Sequence, residues 1–120
     1  MEDLQSGSME LKFAEMIWET APVASGELVA RCAESFGWKK STTYTMLRRL
    51  CERGLFENRG GEVSALVTRE EFLSRQSEQY VERSFGGSLP RFLTAFCAHR
   101  KLSDAELDEL KALIDAQRGN

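Results

Sequence analysis

Apolar positions recur at helical spacing over the first half of the chain, and the breaks between runs fall at proline and glycine. Leu11, Ala14, Ile17 and Trp18 share one stripe, with Phe13 and Met16 as further apolar surface. They predict a first helix from about Met9 to Thr20, capped by Ser8 and ended by Pro22. Leu28, Val29 and Cys32 mark a second helix, from Ser25 as its expected N-cap to Phe36, with Gly37 as the stop. A third starts between Lys39 and Thr42 and stops at Gly54. Thr43, Leu47 and Leu50 form its inward stripe with Met46 beside it, while Thr42, Thr45, Arg48, Arg49 and Glu52 take the opposite side.

After Gly54 the period shortens. LFEN and EVSALV alternate in part and are separated by Arg59, Gly60 and Gly61, a pattern that predicts a β-hairpin. Thr68 and Glu71 fit a capping box, which opens a fourth helix carrying Phe72, Leu73, Tyr80 and Val81 to about Phe85, where Gly86 and Gly87 break it. Ser88 is placed to cap a fifth helix, with Pro90 tolerated in its first turn and Leu89, Phe92, Leu93 and Phe96 making it unusually apolar. Ser103 and Glu106 form a second capping box, and Leu107, Leu110, Leu113 and Ile114 line the last helix.

The expected fold is therefore mainly α. Three helices plus a β-hairpin wing make a winged helix in residues 1–70, whose first seven residues read as a loose leader, and a helical arm follows in residues 71–120. Three short amphipathic helices carry too little core of their own. Their apolar residues, Phe85, Leu89, Phe92, Leu93, Phe96, Leu107, Leu110, Leu113 and Ile114, are expected to bury themselves against a second copy of the chain, with folding back on the first domain as the alternative.

Charge gives the third helix a direction. The chain has a net charge of −3, yet residues 36–60 hold Lys39, Lys40, Arg48, Arg49, Arg53 and Arg59 against only Glu52 and Glu57. A basic island on an acidic chain suggests one surface that faces a polyanion and others kept away from it. Hydroxyls and guanidinium groups on one helix face suit a DNA major groove: Lys and Arg neutralise phosphates, Arg can fork onto guanine, and Thr can donate, accept or offer its methyl to thymine. The candidate DNA-facing residues are Lys39, Lys40, Ser41, Thr42, Tyr44, Thr45, Arg48 and Arg49, with Arg59 near the hairpin tip. A solvated helix face and a solvated turn arginine are the plain alternatives.

Composition narrows the rest. A chain of 120 residues with 42% hydrophobic content can hold one compact core, or a small domain plus an accessory arm. No apolar run approaches the ~20 residues that span a bilayer. The start, MEDLQSGSME, is acidic and polar rather than a secretory signal, so a cytoplasmic location without membrane insertion is expected. Cys32, Cys51 and Cys97 stand at wide spacings with no CxxC or CxC pair, which fits reduced, helix-packing thiols better than a disulfide framework or a zinc site; no metal and no cofactor are expected. His99 is the one histidine, and no Ser, Cys or paired carboxylate is placed by a motif to work with it, so it reads as a surface residue near a helix end and the chain as no enzyme. Trp18 and Trp38 read as packing anchors between the first helices.

Five stretches in order and at spacing carry a resemblance: MIWE in the first helix, W-x-x-x-T-x-x-T-x-L-x-R-L from Trp38 to Leu50, R-G-L-F from Arg53 to Phe56, F-x-G-S-L from Phe85 to Leu89, and K-L-S-x-x-E-L-x-E-L from Lys101 to Leu110. In these the chain resembles the penicillinase repressor family, the BlaI/MecI/CopY transcriptional regulators, from about Met9 to Ile114. The resemblance implies a dimeric repressor that binds double-stranded operator DNA of palindromic sequence near antibiotic-resistance or copper-homeostasis genes, with Thr42, Thr45 and Arg49 at the matching DNA-facing positions. It further implies a membrane-bound sensor metalloprotease as a partner of the penicillin-responsive members, which are cut between an Asn and a Phe; this chain has Ala95 and Phe96 at that candidate proteolytic site. Copper-responsive members carry a C-terminal cysteine cluster of soft ligands, and this chain has no cysteine after Cys97. A winged helix that binds protein rather than DNA is the rival reading, and the overall acidity keeps it open.

Overall fold

The computed structural model describes residues 8–119, and the expected leader at residues 1–7 lies outside them. Its elements in chain order are α1 (Met9–Thr20), β1 (Val23–Ala24), α2 (Ser25–Phe36), α3 (Lys40–Glu52), β2 (Phe56–Arg59), β3 (Glu62–Ala65), α4 (Arg69–Phe85), α5 (Leu89–Cys97) and α6 (Asp104–Arg118). Local chemistry sets most of these limits. The Ser8 hydroxyl accepts from the Leu11 amide at 3.1 Å and caps α1. Gly37 ends α2 at φ +68°, a left-handed conformation in which a side chain would be strained. Gly60 and Gly61, at φ +60° and +92°, supply the two positive values that a tight two-residue hairpin requires.

The chain divides into two compact units, Met1–Ser77 and Glu78–Asn120. In the first, the fully buried side chains of Phe13, Ile17, Leu28, Leu50, Phe56 and Val63 form one core drawn from α1, α2, α3 and the hairpin. The inward stripe of α3 is Thr43, Leu47 and Leu50, as its spacing predicts. On α1 the stripe is rotated from expectation. Phe13 joins Ala14 and Ile17 inside, while Leu11 and Trp18 are half-buried, because a helix enclosed on more than one side buries a broader arc than a single stripe.

Three further differences have physical reasons. First, the hairpin gains a partner: β1 pairs antiparallel with β3, giving strand order β1-β3-β2, with Val23 opposite Val63 and Ala24 opposite Glu62. A two-residue strand carries no periodicity, so nothing in the local pattern signals it. Second, Ser25 is not the N-cap of α2. Ala24 holds that position without a side-chain bond, and the buried Ser25 hydroxyl turns to Tyr44. Third, Trp38 does join the first helices, with its ring 5.4 Å from Phe13 and 5.0 Å from Phe36, but Trp18 faces elsewhere. Its ring lies 5.2 Å from Phe56 and 5.5 Å from Phe72, and its indole N–H donates to the Val67 carbonyl at 2.9 Å, tying α1 to β2 and to the start of α4.

Helix α4 supplies Phe72 to the first core and Tyr80 and Phe85 to an aromatic group in the second unit, where Phe92 lies 6.1 Å from Tyr80 and 5.6 Å from Phe85. Both expected capping boxes form. The Thr68 amide donates to the Glu71 carboxylate at 2.8 Å and the Glu71 amide to the Thr68 hydroxyl at 3.0 Å; Ser103 and Glu106 exchange the same pair at 3.0 and 3.1 Å. These bonds, from the Thr68 backbone first for Glu71 and from the Ser103 backbone first for Glu106, hold both carboxyls below the ordinary Glu range. A carboxyl lowered in the folded state stabilises it above its unfolded pKa, and that contribution disappears as pH falls through the lowered value. Thermal melts between pH 7 and pH 3 are therefore expected to fall more steeply for the parent than for an E71Q/E106Q variant, whose amides keep an acceptor but do not titrate. Parallel curves would remove the capping carboxylates as the cause.

Candidate nucleic-acid interface

Helix α3 carries opposite chemistries on its two sides. Thr43, Leu47 and Leu50 are sealed in the core, and Lys39, Lys40, Ser41, Thr42, Thr45, Arg48 and Arg49 are exposed. Its N-terminus is also unusual for an isolated helix. Lys39 is the N-cap and makes no side-chain cap bond, and the first turn contains no acidic residue. The free amide N–H groups and the positive end of the helix dipole are thus joined by two ammonium groups rather than offset by carboxylates, an arrangement that favours an anion such as a phosphate.

The candidate arginines Arg49 and Arg59, and Arg53 of the same basic stretch, meet carboxylates of their own unit. The Arg49 guanidinium, 59% exposed, stands 3.7 Å from one Glu10 oxygen, and Arg53, 18% exposed, stands 3.7 Å from the other. Arg59, at the end of β2 beside the hairpin tip, is 84% exposed and pairs with Glu57 at 3.0 Å. Ion pairs as exposed as those of Arg49 and Arg59 contribute at most about 1 kcal/mol and exchange readily for another anion, so both guanidinium groups stay available. The hairpin tip is fixed by the Gly61 amide donating to the Asn58 side chain at 3.1 Å, and β2 and β3 run in register from Phe56 opposite Ala65 to Arg59 opposite Glu62. Tyr44 differs from its neighbours: it is half-buried, with its hydroxyl 3.1 Å from that of Ser25.

In the second unit neither α5 nor α6 has a buried residue. Leu89, Phe96, Leu107, Leu113 and Ile114 are each between 42% and 57% exposed, while Phe85, Phe92, Leu93 and Leu110 are half-buried. Phe92, Leu93, Phe96, Leu102, Leu110 and Leu113 line an open groove of about 370 Å³, rimmed by Glu106 and Glu109. Ala95 and Phe96 are exposed within α5, which ends at Cys97, so His99 lies beyond the helix and on the surface.

A family model described as penicillinase repressor matches residues 6–116. The chain belongs to the penicillinase repressor family. It is also similar to the penicillinase repressor of Bacillus licheniformis, at 23% identity over 118 residues, which cover 95% of this chain and 92% of the relative. Members of the penicillinase repressor family are transcription regulators and not enzymes, and the chain is a transcriptional repressor by family.

For a penicillinase repressor family member the thiols are set apart by burial. Cys32 is fully buried and Cys51 half-buried, and desolvation pushes both thiols up, with Thr43 partly offsetting it at Cys32 and the Asn58 backbone at Cys51. Both are packing residues with little thiolate at neutral pH. Cys97 is exposed, at variance with the packing role expected of it, because the end of α5 has nothing over it within its own unit. Among the described residues no group of three or more His, Cys, Asp or Glu side chains could hold a metal ion, and no helix is long and apolar enough to cross a membrane. Sequence reasoning missed Glu10 and the contact of Ser25 with Tyr44. Each acts on α3 from far away in the chain, and a serine at a helix start reads by default as a cap.

Proposed function

We propose that the chain is a dimeric repressor that reads a two-fold symmetric operator, with α3 in the major groove and the hairpin wing on the flanking backbone. The observation that carries this reading is the two-sided α3, sealed on Thr43, Leu47 and Leu50 and exposing Thr42, Thr45, Arg48 and Arg49 behind the uncapped, doubly basic start at Lys39 and Lys40. Lys39, Lys40 and Ser41 would take phosphates, Thr42, Thr45 and Arg49 base edges, and Arg48 and Arg59 the backbone on either side. Residues 1–70 would read DNA and residues 71–120 would dimerise, since the exposed apolar residues of α5 and α6 are what a self-complementary interface would cover.

Two recognition helices held by one arm interface would stand one helical turn of DNA apart, or a multiple of it, and linking them raises the affinity of the pair above that of either alone. Bound over a promoter, the dimer would exclude polymerase. The name of the Bacillus licheniformis relative makes a β-lactam-resistance gene the first target to try. A membrane sensor metalloprotease acting at Ala95 and Phe96 would relieve repression by severing the arm within α5.

Fluorescence anisotropy tests the reading. The protein is titrated onto duplex DNA from its own upstream region and onto a scrambled duplex, at two salt concentrations. Tight binding to the first, two protomers per site and a steep loss with salt are expected. Equal or absent binding to both would overturn it in favour of a protein-binding winged helix.

A further inference from the structure

Ser25 joins two elements that are far apart in the chain. Its backbone N–H donates to the Gly61 carbonyl at 2.8 Å, extending the β1–β3 pairing, which ends with Ala24 opposite Glu62, to the tip of the hairpin. Its hydroxyl, on a residue only 8% exposed, lies 3.1 Å from the Tyr44 hydroxyl on α3. A path of two hydrogen bonds therefore runs from the recognition helix through one serine to the wing tip, next to Arg59. Tyr44 sits between Thr42 and Thr45 on α3, and its phenol is turned inward onto Ser25.

We infer that Ser25 and Tyr44 form a positioning pair that sets the wing against the recognition helix, so that the Tyr44 hydroxyl governs whether Arg59 reaches a phosphate while itself touching no DNA. The inference rests on the DNA-binding reading above and assigns Tyr44 a different part in it. The physical case is one of constraint. A two-residue strand holds the hairpin by few bonds, and a short hairpin alone is marginal in orientation. A hydroxyl pair at the point where the strand meets α2 restricts the remaining freedom, because a half-buried hydroxyl that loses its partner has no easy substitute. With the wing fixed, its phosphate contact adds to that of α3 without a further ordering cost on binding.

The test is a double-mutant cycle on the full chain. Parent, S25A, Y44F and S25A/Y44F are titrated onto a labelled 30-base-pair duplex of mixed sequence over a range of salt, with R59A made in the parent and in Y44F. Each single variant is expected to bind about 3- to 5-fold more weakly, and the double variant no more weakly than either. The slope of log affinity against log salt should shallow by about 0.9 for each phosphate that the protein no longer neutralises. R59A should then cost affinity in the parent and almost none in Y44F. Additive losses, or a loss in Y44F that S25A lacks, would show that the phenol meets DNA itself and would overturn the inference, as would an R59A effect of the same size in both backgrounds. Amide hydrogen exchange of the DNA-free protein gives a second reading that does not depend on binding. The Ser25 amide should exchange several-fold faster in Y44F than in the parent, and unchanged exchange would also overturn the pairing. A parent that binds no duplex at any salt would refute the DNA-binding reading itself, an outcome distinct from all of these.

Discussion

Leu107→Asp is expected to give a folded monomer that binds operator DNA 10²- to 10⁴-fold more weakly than the parent. The Leu107 side chain is 49% exposed in the single chain, so a charge there costs its own unit little. In a two-fold interface the same substitution appears twice. Each copy removes about 1 kcal/mol of apolar burial and places an unpaired carboxylate in an apolar contact, a penalty of several kcal/mol. The neighbouring Leu113, 57% exposed, and Ile114, 53% exposed, are its expected companions in that contact. The loss on DNA would come from severing the two recognition helices, since the linked second half-site is what raises affinity. Sedimentation gives the oligomeric state and anisotropy gives the affinity. A variant that sediments as a monomer yet binds as tightly as the parent would refute the dimer argument, and one that stays dimeric would move the interface off α6.

Phe13→Ala is expected to destabilise the winged-helix unit by about 3–5 kcal/mol, enough to leave much of it unfolded if its total stability lies near the low end of the usual range of about 5–15 kcal/mol. Phe13 is 0% exposed and meets the edge of Trp38 at 5.4 Å, so truncation both removes buried surface and opens a cavity beside Trp38. Leu11→Ala, on the same helix but half-buried, is expected to cost less than half as much. Urea denaturation followed by circular dichroism compares the two. This contrast checks the rotation of the α1 stripe, because the periodicity of the sequence puts Leu11 inside and counts Phe13 as extra, and the fold reverses them. A larger loss at Leu11 would restore the simpler stripe.

Much of the fold was legible because the signals behind it are local. The Ser8 cap, the boxes of Thr68 with Glu71 and Ser103 with Glu106, the stop at Gly37 and the Gly60-Gly61 turn each involve residues a few positions apart, so neighbouring side chains alone decide them. The inward stripe of α3 was equally plain, since its period survives between two strong breaks. Of the candidate interface, the exposed residues of α3 and the tip arginine could be named in advance, and the common exposure of the α3 residues follows from the same helical period. The sequence puts Tyr44 with the DNA-facing residues, whereas in the fold it is half-buried with its hydroxyl on that of Ser25. It sits between the inward and outward stripes, where a turn of some tens of degrees decides whether a phenol faces solvent or a neighbour.

By itself, then, the sequence determined the order of the six helices and the hairpin, most of their ends, the basic face of α3 and the arm left with apolar residues to cover. Only the tertiary structure decided the pairings that cross long stretches of chain: β1 beside β3, Trp18 on Val67, Glu10 between Arg49 and Arg53, and Ser25 between Gly61 and Tyr44. The division has one physical cause. Caps, turns and helical stripes are fixed by energies within a few residues, whereas each long-range pairing depends on where separate elements settle once the whole core has closed.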